Sequence, residues 1–228
     1  MHPVSIPQAV RDRIVARRGR FAVFDRLEPA RTALVVIDMQ KAFLDEGAPV
    51  EVPLARAIVP NVNRLAAAFR SAGAPVVWVK MTLTDEDGPH AWPVFYRHFT
   101  TPDFAARHLA ALTEGSALHR LADGLDVEAA DLQLVKNRFS AFIQGSSDLD
   151  AELRARGIDT VVVAGTLTNR CCESTARDAM MIGYKVVLVE DANAALTDEE
   201  HVAALINVAW TFGDVRPTAD VLQMLAAG

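Results

Sequence analysis

Short, mostly apolar runs recur along this chain of 228 residues, at 32–37 (TALVVI), 75–79 (PVVWV), 132–135 (LQLV), 160–164 (TVVVA) and 185–189 (KVVLV). Runs of this length, without regular alternation, fit strands buried on both faces of a parallel sheet. Helical spacing fills the intervals. Ile58, Val59, Val62, Leu65, Ala66 and Phe69 recur on one face ahead of Gly73, and Val202, Leu205, Ile206, Ala209 and Phe212 do so ahead of Gly213, glycine being a common helix terminator. Leu149 and Leu153 lead a shorter helix toward Gly157, and a sixth strand near Val215 precedes a last helix from Thr218. Ser147 with Asp150 and Thr197 with Glu200 have the spacing of capping boxes. Strand and helix alternate throughout, as parallel pairing requires. The expected fold is therefore α/β, a three-layer open parallel sheet of about six strands with helices on both faces.

This length suits one domain, 31–228, preceded by an N-terminal arm, 1–30. Half the residues are apolar, the balance of an ordinary globular protein. The net charge of −6 offers a phosphate backbone no attraction, and no run is long enough to cross a bilayer. Neither a nucleic-acid nor a membrane partner is expected. In the arm, Arg11, Arg13, Arg17, Arg18 and Arg20 surround Val10, Ile14 and Val15, a short amphipathic helix for docking on its own domain or on a neighbouring subunit. Asp12 and the scarcity of serine argue against a transit peptide. The two cysteines, Cys171 and Cys172, are neighbours that close no long loop. That usage suits a reducing compartment, so the expected location is cytoplasmic.

Ligands of open parallel sheets lie beyond the carboxyl ends of the strands. Three polar residues occupy such ends: Asp38 after the first strand, Lys136 after the third and Cys171 just past the fourth. A cysteine in the first turn of a helix meets unpaired N–H groups and the positive end of the dipole, which favour a thiolate. A carboxylate held close can take the thiol proton, and a cation can tune the pair. The three read as nucleophile, base and electrostatic partner. Singly, each has a plainer reading: a turn cap, a solvated charge, a buried small hydrophobe. Their joint occurrence at strand ends favours the chemical one. Cys172 shares a small apolar face with Ala176, Ala179, Met180 and Gly183 and reads as core, since a vicinal disulfide would strain the backbone. Between residues 80 and 105 periodicity fails, and Asp85, His90, Trp92, Phe95, Tyr96 and Phe99 suggest the wall of a pocket.

Three motifs, in order, are Val36-Ile37-Asp38-Met39-Gln40, Lys136-Asn137-Arg138-Phe139-Ser140-Ala141-Phe142, and residues 165–175 (GTLTNRCCEST). On these the chain from Arg31 onward resembles the isochorismatase-like cysteine hydrolase family, in its amidohydrolase and ureidohydrolase branch. The resemblance implies a Rossmann-like fold and a catalytic triad of Asp38, Lys136 and Cys171. It aligns Thr168 with the threonine of the family's T-x-x-C pattern and places Cys172 where a plain apolar residue is usual. The backbone N–H groups of Leu167 and Cys171 would form the oxyanion hole, beside a non-proline cis peptide between Thr166 and Leu167. The implied reaction is attack of Cys171 on a small amide or ureido carbonyl, loss of ammonia or an amine, and hydrolysis of a thioester.

Relatives that hydrolyse nicotinamide carry an Asp-x-His and a further His after the second strand. Here Asp85, Asp87 and His90 stand at a different spacing, so no metal is expected, and no cofactor motif is present. Arg138 and Arg170 have two equal readings, a grip on a substrate carboxylate or structural ion pairs, while Trp78, Trp92, Phe95, Tyr96 and Phe139 would wall the pocket. Residues 138–142 (RFSAF) look closer to isochorismatases and ureidoacrylate hydrolases than to nicotinamidases, which favours an amide or carbamoyl substrate bearing an acid group. The resemblance and the apolar positions of the arm also predict a homo-oligomer, a dimer or tetramer. Two alternatives stand beside this reading. One is an isochorismatase-type vinyl-ether hydrolase, although such relatives typically lack the cysteine. The other is a catalytically silent binding or assembly member of the fold.

Overall fold

A computed structural model describes residues 2–84 and 91–228. All six strands are parallel, in the order β3-β2-β1-β4-β5-β6: β1 (Thr32–Ile37), β2 (Val76–Met81), β3 (Leu132–Lys136), β4 (Thr160–Thr166), β5 (Lys185–Ala194) and β6 (Asp214–Arg216). Every residue of β1 and β4 is buried, which is why their sequences run apolar without alternating. The helices are α1 (Gln8–Arg18), α2 (Lys41–Leu44), α3 (Ala55–Ser71), α4 (Pro93–His98), α5 (Pro102–Leu112), α6 (Leu149–Ala155), α7 (Glu173–Met181), α8 (Asp198–Asn207) and α9 (Thr218–Ala226). The chain winds outward from β1 to β2 through α3 and, in the opposite direction, from β4 to β5 through α7. Right-handed crossovers put such helices on opposite faces. The winding reverses between β1 and β4, and a crevice opens at their carboxyl ends.

One glycine brings those two ends together. Gly165 pairs with Ile37 and has φ +121°, and a Cβ there would lie 2.1 Å from the Ile37 carbonyl oxygen. Only glycine lets the backbones approach this closely. Asp38 and the turn carrying Cys171 follow directly.

The arm packs on its own domain. Ile6, Ile14 and Leu27 join the central apolar core, and Arg13 and Arg17 lie over the Trp210 ring at 4.9 and 5.1 Å. Buried Asp214 of β6 accepts the backbone N–H groups of Val23 and Phe24 at 2.8 to 2.9 Å.

Two expectations are corrected here. The Thr197–Glu200 capping box forms, but α6 starts one residue later than Ser147 implied, with Asp148 at its cap. With the cap moved to Asp148, Asp150 completes no box, and its carboxylate accepts instead from Tyr184 at 2.8 Å and Arg154 at 3.0 Å. The stretch expected to be irregular also contains α4 and the first turn of α5, each helix opened by a proline at its first position, Pro93 and Pro102, with Thr101 capping α5. Phe95, Phe104 and His108 of these helices face a cavity instead of the sheet. Divided in this way, their apolar residues make no single core-facing stripe.

Candidate active site

Asp38, Lys136 and Cys171 meet at the crevice. Asp38 takes φ +52°, a left-handed backbone that aspartate tolerates better than most residues and that turns the chain off β1. Its N–H donates to the Val79 carbonyl at 2.9 Å. Two residues on, the Gln40 amide accepts from the Met81 N–H at 2.8 Å and donates to the carbonyls of Met81 and His119 at 3.0 and 2.9 Å, clamping the end of β1 to the end of β2. Lys136, wholly buried, sets its Nζ 2.8 Å from Asp38 Oδ2 and donates to the Arg138 carbonyl at 3.1 Å. Cys171 is buried beside both side chains, close enough for the charge of each to act on the others.

Burial raises the Asp38 carboxyl above its ordinary range, although the charge of Lys136 and the proximity of Cys171 oppose it. For Lys136 burial works downward, but the interaction with Asp38, and then that with Cys171, outweighs it and raises the pKa. The Cys171 thiol is pushed up to about 12, first by burial and then by the adjacent Asp38 carboxylate, with Lys136 pulling the other way. Cys171 lies in a π-helical turn, Thr168–Cys172, ahead of α7, where burial and Asp38 work against the thiolate that a helix start would favour. Such a thiol needs the base beside it. Cys172 is fully buried, both cysteines are free, and burial raises the second thiol too.

Before this turn the Thr166–Leu167 peptide is cis, as the family resemblance implied. The turn is closed by the Cys172 N–H donating to the Leu167 carbonyl five residues back, at 3.1 Å. Leu167 and Cys171 both border a cavity of about 290 Å³. Its walls are mostly apolar, built from Phe43, Met81, Leu83, Phe104 and others, with Glu51, His108 and Arg170 as the polar exceptions. A wider apolar groove of about 790 Å³ continues outward over Trp92, Phe95, Phe139 and Leu196 to Val94 and Phe99.

Trp92, Phe95 and Phe139 stand in the wall as expected, Trp92 stacked on Phe95 and edge-on to Phe139, both at 4.8 Å. Arg170 is exposed at the rim, and among the described residues no ion pair holds it. Three expected contacts lie elsewhere. Trp78 is buried within the sheet and donates its Nε1–H to Asp131 at 2.8 Å, because the pleat of β2 turns it from the crevice. Tyr96 points to His108, hydroxyl to Nδ1 at 3.0 Å, and supports the wall from behind. Arg138 is engaged by carbonyls, donating to Asn137 at 2.7 Å and Ala91 at 3.1 Å while lying over Trp92. It braces the wall instead of facing the cavity. Asp85, Asp87 and His90 lie outside the described residues.

Sequence reasoning missed two polar cavity residues. His108, four residues after Phe104, is pushed down to about 4 by burial and then by Arg170, so it is a neutral imidazole. The i, i+4 pairing with Phe104 is its one sequence signal. Glu51 accepts the Gly47 N–H at 2.8 Å and pairs with Arg56 at 2.7 Å, which together lower its pKa; no local pattern announces it.

The Isochorismatase domain family model matches residues 32–220. The ureidoacrylate amidohydrolase RutB of Enterobacter sp. (strain 638) is 33% identical over 204 residues, 84% of this chain and 88% of that protein. A protein of Arabidopsis thaliana described as a probable inactive nicotinamidase is 36% identical over 179 residues, 78% of this chain and 87% of its own. Among solved structures, a cysteine hydrolase from Pseudomonas syringae pv. phaseolicola 1448A superposes with a TM-score of 0.79 at 29% identity, covering 90% of this chain and 98% of that one. The N-carbamoylsarcosine amidase of Thermoplasma acidophilum does so with a TM-score of 0.66, also at 29% identity, covering 82% and 96%. With the motifs at the strand ends and the family match running from β1 into α9, the chain belongs to the isochorismatase family of hydrolases.

Proposed function

We propose that this protein is a cysteine amidohydrolase that cleaves a C–N amide, carbamoyl or ureido bond of a small, carboxylate-bearing molecule. The observation that carries the reading is the convergence of buried Asp38, Lys136 and Cys171 at the crevice, with Cys171 bordering a mostly apolar cavity. Asp38 takes the Sγ–H proton as Sγ adds to the carbonyl carbon, and Lys136 balances the negative charge passing between them. The oxyanion forms toward the backbone N–H groups of Leu167 and Cys171. Asp38 then delivers its proton to the nitrogen, the C–N bond breaks, and ammonia or an amine departs from a thioester. Water enters, loses a proton to Asp38 and displaces Sγ, which recovers that proton. The apolar walls hold the body of the substrate, and Arg170 at the rim pairs with its carboxylate. The ureidoacrylate and N-carbamoylsarcosine enzymes among the relatives support a ureido or carbamoyl acid as the class to try first.

A screen of ureido and carbamoyl acids for ammonia release tests this reading. Turnover should vanish in Cys171→Ala and persist in Cys172→Ala, and the acid limb of kcat/KM should lie above the ordinary aspartate pKa of about 3.9. A vinyl-ether substrate turned over without ammonia, or activity that survives Cys171→Ala, would defeat it.

A further inference from the structure

We propose that the N-terminal arm and α8 position the nucleophile, through a chain of contacts from His2 to His201 to Thr168. This rests on Cys171 being the nucleophile and adds the residues that hold it in place.

Thr168 opens the π-helical turn that carries Cys171, and its side chain is fully buried. A buried hydroxyl requires a partner, and here it is His201 Nδ1, 2.8 Å away on α8. His201 is itself buried. Burial and the neighbouring His2 depress its pKa to about 4, so it is a neutral imidazole. The Thr168 hydroxyl and Nδ1 of this neutral ring share one hydrogen bond, whose donor is set by the ring tautomer. The His2 ring stacks on His201, centroids 4.2 Å apart and planes 14° from parallel. His2 Nε2 accepts the Ala195 N–H at 3.0 Å, so Nδ1 carries the proton and donates to Asp198 at 2.6 Å. Residue 2 thereby fastens the exit of β5, the first turn of α8 and the ring that grips Thr168. Ala195 immediately precedes Leu196, which borders the cavity.

A single π-helical turn offers few hydrogen bonds of its own with which to fix its geometry. The Thr168 hydroxyl anchors that turn from the side facing α8. Thr168 and His201 are thus positioning residues, and His2 supports them; none of the three borders the cavity.

The test is the rate at which iodoacetamide alkylates Cys171 in the full-length protein, followed from pH 6 to 10 alongside the thermal midpoint. Thr168→Val keeps the shape and removes the hydroxyl. It should slow alkylation by about tenfold and move the pH profile upward, as Sγ shifts relative to Lys136. Thr168→Ser should restore both. His201→Asn, which keeps an acceptor near the Nδ1 position, should be slowed less than His201→Leu, and His2→Leu should fall between that variant and the wild type. Wild-type rates and profiles in folded Thr168→Val and His201→Leu would overturn the proposal. So would a loss that Thr168→Ser fails to restore. Labelling that continues unchanged in Cys171→Ala would instead strike the nucleophile assignment on which the proposal stands.

Discussion

The floor and the wall of the cavity are built on different principles. The floor is made of strand ends and a single turn. Asp38, Lys136 and Cys171 are buried, and each is held by backbone that the sheet already fixes. The wall is made of α4, α5 and the segment around Phe139, where aromatic rings lean on one another and Phe99 remains 75% exposed. Positions in the floor are set by hydrogen-bonded ladders and one buried ion pair, whereas those in the wall are set by ring packing. The difference teaches that chemistry and selectivity can vary independently here: a wall side chain can change size at modest cost, but a floor residue cannot change without disturbing charge balance.

The sharpest way to break the comparison is at the ion pair. Asp38→Asn should abolish turnover, by about a thousandfold or more, and lower stability by about 3–5 kcal/mol because the Lys136 ammonium is left buried without its counter-charge. Asp38→Asn combined with Lys136→Met should regain most of the stability and none of the activity. Chemical denaturation beside a turnover assay separates the two effects, and full activity in the double variant would show that the floor is not charge-controlled. Gly165→Ala comes next. Its Cβ would meet the Ile37 carbonyl at 2.1 Å and has φ +121° to satisfy. The ends of β1 and β4 should part, with a stability loss on the order of 2–4 kcal/mol. A melting curve matching the wild type would refute the close-approach argument.

Acid should weaken wall and floor together. His108 and His201 each have a pKa of about 4 in the fold against 6.5 when free. Above pH 6.5 both states are neutral there and nothing is lost. Between 6.5 and 4 the unfolded chain takes up protons that the folded one refuses, so stability falls with pH by roughly 1 kcal/mol per unit for each histidine. Thermal midpoints that stay flat from pH 7 to 4.5 would contradict this. The smallest effect belongs to the rim. Arg170→Gln should raise KM for a carboxylate-bearing substrate by about tenfold and leave kcat within about twofold, since the charge acts on binding alone. A fall in kcat with unchanged KM would move Arg170 from the wall to the floor.

The floor was readable from the chain for the same reason that it is rigid. A strand buried on both faces writes itself as an apolar run, and the residue ending that run must sit at the sheet's edge; Asp38 and Lys136 follow from that rule and Cys171 from the turn after β4. The wall was read less well. Trp78 and Arg138 had the right types and the right neighbourhood, but a pleat and a pair of carbonyls turn them elsewhere. Helices α4 and α5 escaped notice because their apolar residues serve the cavity and not the core.

By itself the sequence determined the alternating α/β order, the strand ends, the residue types delivered to the crevice, and Cys172 as core. Only the tertiary structure decided that burial and Asp38 push the Cys171 thiol upward, that His108 and Glu51 border the cavity, and that residues 2, 168 and 201 form one contact chain. The physical reason is range. Periodicity and strand termini are local properties, written within a few residues, while burial, charge pairing and side-chain direction belong to neighbours that the fold brings from anywhere in the chain.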